Sequence, residues 1–210
     1  MKIINLFPLS IIQEKILLDK NIKNEMTKEI ETMVSKSQNK NNRIKDVSWT
    51  GDTQGFEYIN KNEKFKELFI NIKKVVIKYL DHLKIDENVI DLYITRSWAT
   101  MSDGKEQISP HNHLQSHISF AYYLKKSAND SNIVFIDNHF QNEIIPGIFR
   151  NPTVKDNGVI KEFSLFNAPS IDLNTQEDDI LIFPSKTLHR TQANKMNDGR
   201  ISISGDIVCV

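Results

Sequence analysis

The chain predicts an α+β fold in which N-terminal helices buttress an antiparallel sheet or sandwich. Three observations predict it. Apolar residues recur at helical intervals only in the first part, about residues 1–85; strand-like runs fill the rest, about 86–210; and no repeat or long linker divides the 210 residues. The whole of 1–210 therefore reads as a single domain, large enough to bury a substantial core.

From about Lys15 to Lys36 the apolar positions Ile16, Leu17, Ile22, Met26, Ile30, Met33 and Val34 predict a first helix. The polar stretch Ser37 to Lys45 ends it, and Val47 to Gly55, with glycines at 51 and 55, reads as a loop. Phe65, Leu68, Phe69, Ile72, Val75, Val76, Tyr79, Leu80 and Leu83 form the continuous stripe of a second helix. After Asp86 the period changes. Val89 to Thr100, Ile118 to Lys125, Ile133 to Ile136, Asp179 to Phe183 and Ile201 to Val208 are β-rich runs between polar turns. Asn197-Asp-Gly199 reads as a tight hairpin turn between the last two strands. Asp137 to Ile171 is the least regular segment, of the kind that often covers an active site.

Composition narrows the partners. Lys and Arg total 27 against 27 Asp and Glu, and the two signs are interspersed. No electrostatic footprint for nucleic acid or anionic membrane results. The one cysteine, Cys209, has no internal partner for a disulfide, which points to a reducing compartment, a bacterial or host cytoplasm. No apolar run approaches the roughly 20 residues of a membrane span, and Met1 to Pro8 is too short for a secretory signal. Abundant Lys, Asn and Ile suggest an AT-rich genome, bacterial or phage.

The chemistry concentrates in two places. His111-Asn-His113 sets two imidazoles two residues apart, on one face of an extended segment, where both can reach one metal ion. His189, placed just after the bend marked by Pro184, adds a third imidazole, leaving coordination positions open for a co-substrate and oxygen. Lone histidines are usually surface residues, but the i, i+2 pair together with a distant third argues for a metal face. His117 competes for that role and is read as a second-layer or substrate-facing group. In Arg200-Ile-Ser202-Ile-Ser204 the guanidinium and hydroxyls share one face, and a buried guanidinium calls for an anion. Ser119, Ala121 and Tyr123 share a strand face too, and the Tyr123 hydroxyl can assist Arg200 at a carboxylate. A metal face beside a carboxylate receptor suggests a non-haem iron oxygenase that consumes a 2-oxo acid.

These residues resemble a known family, the 2-oxoglutarate and iron(II)-dependent oxygenases of bacteria and phages with a His-x-His element followed by a Tyr-Tyr-Leu strand. The resemblance runs nearly end to end: Asn5 to Pro8, Asp46 to Trp49, Arg96-Ser-Trp98, Gly104, His111 to His113, Ser119 to Leu124, Ile133 to Asn138, Phe183 to Ser185, His189 and Arg200 to Ser202. More broadly the chain is similar to prolyl-hydroxylase-like oxygenases, which implies a double-stranded β-helix, or jelly roll. It implies His111 and His189 as Fe(II) ligands, and Tyr123, Arg200 and Ser202 as 2-oxoglutarate contacts. The products implied are succinate, CO2 and a hydroxylated substrate. The broader pattern has Asp or Glu where this chain has His113; His113 is taken as the third ligand, with a carboxylate such as Asp137 as the alternative.

Two rival readings stand beside this one: a three-histidine or cupin-like iron dioxygenase that does not use 2-oxoglutarate, and a non-catalytic jelly-roll binding or structural module. Besides O2, the substrate is left open between a small molecule and a protein side chain. Trp49, Trp98, His117 and the segment from Asp137 to Ile171 are candidates for its entrance, and the N-terminal helices for pairing in a homodimer.

Overall fold

The computed structural model describes residues 1–36, 47–49 (backbone only), 56–102, 107–128, 130–150, 158–192 and 199–210. The elements are β1 (Ile12–Lys15), α1 (Lys20–Lys36), β2 (Val47–Trp49), α2 (Lys66–His82), β3 (Leu92–Ser102), β4 (Ile108–His111), β5 (Ile118–Lys125), β6 (Ile133–Ile136), β7 (Ser170–Leu173), β8 (Asp179–Pro184), β9 (His189–Thr191) and β10 (Arg200–Cys209).

Two antiparallel sheets form the double-stranded β-helix. The major sheet runs β1-β8-β5-β10-β3-β2 and the minor sheet β4-β9-β6-β7. Alternation along the central strands explains how one sheet serves two environments. Phe120, Tyr122 and Leu124 of β5, Ile180 and Ile182 of β8, Ile201 and Ile203 of β10, and Ala99 of β3 face outward beneath the helices. Their neighbours Tyr123, Leu181 and Phe183 face inward and meet Ile133 and Phe135 of the minor sheet.

The α2 stripe is buried as its spacing predicts, from Leu68 through Leu80, and α1 adds Met26, Ile30 and Met33. Seven buried apolar side chains on α2, at about 1.5–3 kcal/mol each, make the helix a wall of the core rather than an appendage. Both stripes are therefore occupied within the chain.

Four expectations are corrected. Lys15 and Leu17 are not helical: Ile12–Lys15 is an edge strand of the major sheet, Ile12 opposite Ile182 and Lys15 opposite Asp179, and Leu17 is 76% exposed. Isoleucines at 11, 12 and 16 fit helical spacing as well as a short strand, and only the free edge of β8 decides between them. β9 and β10 do not form a hairpin. They lie in different sheets, so the connection ending at Gly199 (φ +68°) crosses from one layer to the other. Third, β7 begins at Ser170, inside the segment read as irregular. Fourth, Val47–Trp49, the start of the segment expected as a loop, instead pairs with β3 as β2. Ser37 to Lys45, Asp46, residues 50–55, Gly104, Asn197 and Asp198 lie outside the described residues, as does the Trp49 side chain.

Candidate metal centre

The three histidines converge. β4 and β9 pair with His111 directly opposite His189, which sets the ring centres 4.3 Å apart. His113 stands in the loop after β4, where its backbone N–H donates to the Ser185 carbonyl at 2.8 Å. Its ring centre lies 5.2 Å from that of His111 and 5.3 Å from that of His189. The pair therefore shares a target although only His111 lies on a strand. The bend before His189 is closed by a Thr187 N–H to Pro184 carbonyl bond at 2.9 Å.

Ring tautomers follow from the outer partners. His111 Nδ1 sits 2.8 Å from the Ser109 carbonyl and His189 Nδ1 2.9 Å from the Thr187 carbonyl. A carbonyl only accepts, so each Nδ1 carries the proton and each Nε2 keeps its lone pair. His113 Nδ1 reaches Asp206 Oδ1 at 2.6 Å, with the same consequence. Nitrogen atoms of the three rings lie within 4.8 Å of one another. Three neutral imidazole donors of this kind suit a divalent first-row metal. Burial lowers the pKa of His111, and lowers that of His189 to about 3 with help from the neighbouring rings. Both therefore stay neutral, as metal ligands must, at any pH near 7.

Across the cavity stands the cationic end. Arg200 is 3% exposed, and its Nη1 donates to the Ser131 carbonyl (2.9 Å) and hydroxyl (2.7 Å). Cross-strand register puts Ser202 beside Tyr123 on β5 and Thr100 on β3. Burial raises the Tyr123 phenol while Arg200's charge opposes the rise, so the hydroxyl remains a neutral donor. One cavity, with about 540 Å³ of open space including its mouth, is lined by all six predicted residues: His111, His113, His189, Tyr123, Arg200 and Ser202.

Comparison of the chain with known proteins bears on this cavity. Residues 96–206, more than half of the chain and including every one of those six, match the family described as "Putative 2OG-Fe(II) oxygenase". The chain belongs to the 2OG-Fe(II) oxygenases. It is accordingly an enzyme of non-haem iron and 2-oxoglutarate, with O2 as oxidant, in place of the cupin-like and non-catalytic alternatives. No curated protein sequence matches it.

Among solved structures, HygX from Streptomyces hygroscopicus, with nickel and 2-oxoglutarate bound, aligns with TM-score 0.62 at 10% identity, covering 95% of this chain and 83% of its own. A Pseudomonas putida prolyl-4-hydroxylase aligns with TM-score 0.55 at 11% identity, covering 95% and 92%. The 2-oxoglutarate-dependent epimerase SnoN from nogalamycin biosynthesis aligns with TM-score 0.58 at 12% identity, covering 95% and 78%. At such identities the likeness establishes the fold these oxygenases share.

Other expectations fall differently. His117 points away from the cavity: it is exposed, and its Nδ1 accepts the Cys209 N–H at 3.0 Å. It lies four positions beyond His113, but the loop between them breaks the alternation that would have put them on one face. Asp137 is engaged by the backbone N–H groups of His139 (2.8 Å) and Phe140 (3.1 Å), as a turn cap. Trp98 does line the cavity, its ring 5.6 Å from His113. No described residue between Asp137 and Ile171 does so. Reading by sequence missed Asp206 and Ser119. The signal was available for Asp206, because the alternation Arg200, Ser202, Ser204 reaches it in one more step.

Proposed function

We propose that the 2OG-Fe(II) oxygenase holds Fe(II) through Nε2 of His111, His113 and His189, and receives the distal carboxylate of 2-oxoglutarate on Arg200, Ser202 and Tyr123. It hydroxylates a substrate, a small molecule or a protein side chain, with release of succinate and CO2. The observation that carries this reading is the convergence of three Nδ1-protonated imidazoles in one cavity with a buried guanidinium.

Iron with bound 2-oxoglutarate supplies the oxidising chemistry from O2; the chain's own residues bind, orient and exclude water. Ser131 anchors one side of the Arg200 guanidinium and so directs its fork. Phe183 packs edge-on against His189, ring centres 5.1 Å apart, and Phe135 supports Phe183 in the same way. Together with Ile108 and Ile133, Phe183 gives the cavity an apolar wall. No described helix is long and apolar enough to cross a membrane, and the lone Cys209 fits a reducing cytoplasm, bacterial or phage-infected.

The test is anaerobic titration of Fe(II) and then 2-oxoglutarate, followed by succinate release on admitting O2. A metal-to-ligand absorption band and succinate are expected from the wild type. H113A should lose iron, and R200A should keep iron but bind 2-oxoglutarate poorly. Iron binding without the band, or unimpaired binding in H113A, would reject the assignment.

A further inference from the structure

The three imidazoles are not equivalent. Two donate their Nδ1–H to neutral carbonyls, of Ser109 and Thr187, and the third donates to a carboxylate, at the shortest of the three distances. That third ring, His113, occupies the position where the broader oxygenase pattern places Asp or Glu. Asp206 sits on β10 opposite Ser119 of β5, six residues beyond Arg200 on the same inward face. Ile207, the next residue, faces outward by the same alternation, and the register shift there leaves Thr95 of β3 as the extra residue.

Asp206 is 8% exposed, and its Oδ1 also accepts the Ser119 hydroxyl at 2.9 Å. Ser119 meets Ser185 at 2.8 Å, and Ser116 donates to Ser185 at 2.8 Å. Each hydroxyl can thus donate toward the carboxylate, which can only accept. Arg96 pairs with Asp206 across β3, yet its guanidinium stacks over Trp98, 4.4 Å from the ring centre. Among the described residues, His113 is the only cationic-type partner within ion-pair distance of Asp206.

We propose that Asp206 is a positioning residue for the metal: it orients His113 as an Nε2 ligand and places the missing carboxylate charge one hydrogen bond outside the coordination sphere. The inference rests on His113 being a ligand, as proposed above. A negative charge at that distance strengthens electron donation from the ring to a bound metal and stabilises the ferric state over the ferrous. The serine chain holds the carboxylate so that its lone pair stays on the Nδ1–H.

Co(II) and Fe(II) affinities of the full-length protein, with the Co(II) ligand-field spectrum and the iron midpoint potential, test the idea without turnover. D206A removes both the contact and the charge, and should weaken metal binding about 10- to 100-fold. D206N is isosteric and its amide oxygen can still accept the Nδ1–H. It should weaken binding less, by roughly 3- to 10-fold on the same reasoning, and raise the midpoint potential. S119A keeps the charge but loosens its aim, so a smaller loss with a shifted Co(II) spectrum is expected; it also decides the matter should either Asp206 variant fail to fold. Wild-type affinity, spectrum and potential in D206N, or an unaltered S119A, would overturn the role of Asp206. Unimpaired metal binding in H113A would instead overturn the ligand assignment beneath it.

Discussion

Arg200 shows how little freedom a buried guanidinium has. One of its nitrogens is committed to both oxygens of Ser131, which leaves the direction of the remaining donors fixed by planarity. Lysine offers a charge but no such fork. R200K should therefore weaken 2-oxoglutarate binding about 10- to 100-fold, the worth of one or two charge-assisted bonds, while Fe(II) binding alone stays unchanged; titrating the absorption band gives both numbers. His189 makes a second case. Its pKa in the folded chain is about 3, set first by burial and then by the neighbouring rings, against 6.5 ordinarily. Between those values the unfolded chain binds the proton and the folded chain does not. The stability of the metal-free protein is thus complete above pH 6.5 and falls toward pH 3, by about 1.4 kcal/mol per pH unit within the window. Urea unfolding at pH 7.5, 6 and 5 should show that slope, and H189F should flatten it.

At the scale of elements, alternation along β3, β5 and β10 is the device that lets one sheet carry a dry outer face and a polar inner face. Gly205 marks where the outer face tolerates nothing more. A Cβ there would stand 2.5 Å from Phe120 Cζ and 2.8 Å from the Arg96 carbonyl oxygen. The Phe120 ring fills that space and packs edge-on against Phe69 of α2, centres 6.0 Å apart. G205A should destabilise by about 1–3 kcal/mol, as overpacked cores do, and denaturant unfolding will measure it. The end of α2 carries the opposite kind of flaw. Lys84 adopts the left-handed conformation (φ +58°) while the Ile85 N–H closes back on the Leu80 carbonyl at 2.9 Å. Glycine suits that position better, so K84G should stabilise the fold by about 1 kcal/mol, read as a higher urea midpoint with an unchanged slope.

Over the whole molecule, the site is a product of closure. His111 and His189 belong to the minor sheet, Tyr123, Arg200 and Ser202 to the major one, and His113 to the loop between β4 and β5. A metal seated there would tie β4 and β9 to the loop after β4 in the native state alone. A divalent ion at 100 times its dissociation constant should then add about 2.7 kcal/mol. Differential scanning calorimetry with and without Co(II) is the measurement, and H189A should abolish the gain. The same closure explains the part played by α1. Lys23 bridges to Glu177 (2.6 Å) and Asp178 (2.7 Å) just ahead of β8, and Tyr122 donates to Asp178 from beneath. The helix is thereby fastened to the strand next to the site.

Local order along the chain determined a good deal by itself. The α2 stripe, the runs that became β5 and β6, and the i, i+2 spacings of His111-His113 and Arg200-Ser202 were all legible, because each depends only on neighbours within a few residues. Contacts between distant segments decided the remainder. That Ile12–Lys15 is a strand depends on the open edge of β8, whose paired residues stand 164 to 170 positions further along the chain. That Gly199 ends a crossing between layers depends on where β9 and β10 each find a partner. His113 and His117 look alike in the sequence; a turn in the loop sends one ring to Asp206 and the other to the backbone of Cys209. Short strands and loop side chains have too little local free energy to choose a conformation alone, so the packed sheets choose for them.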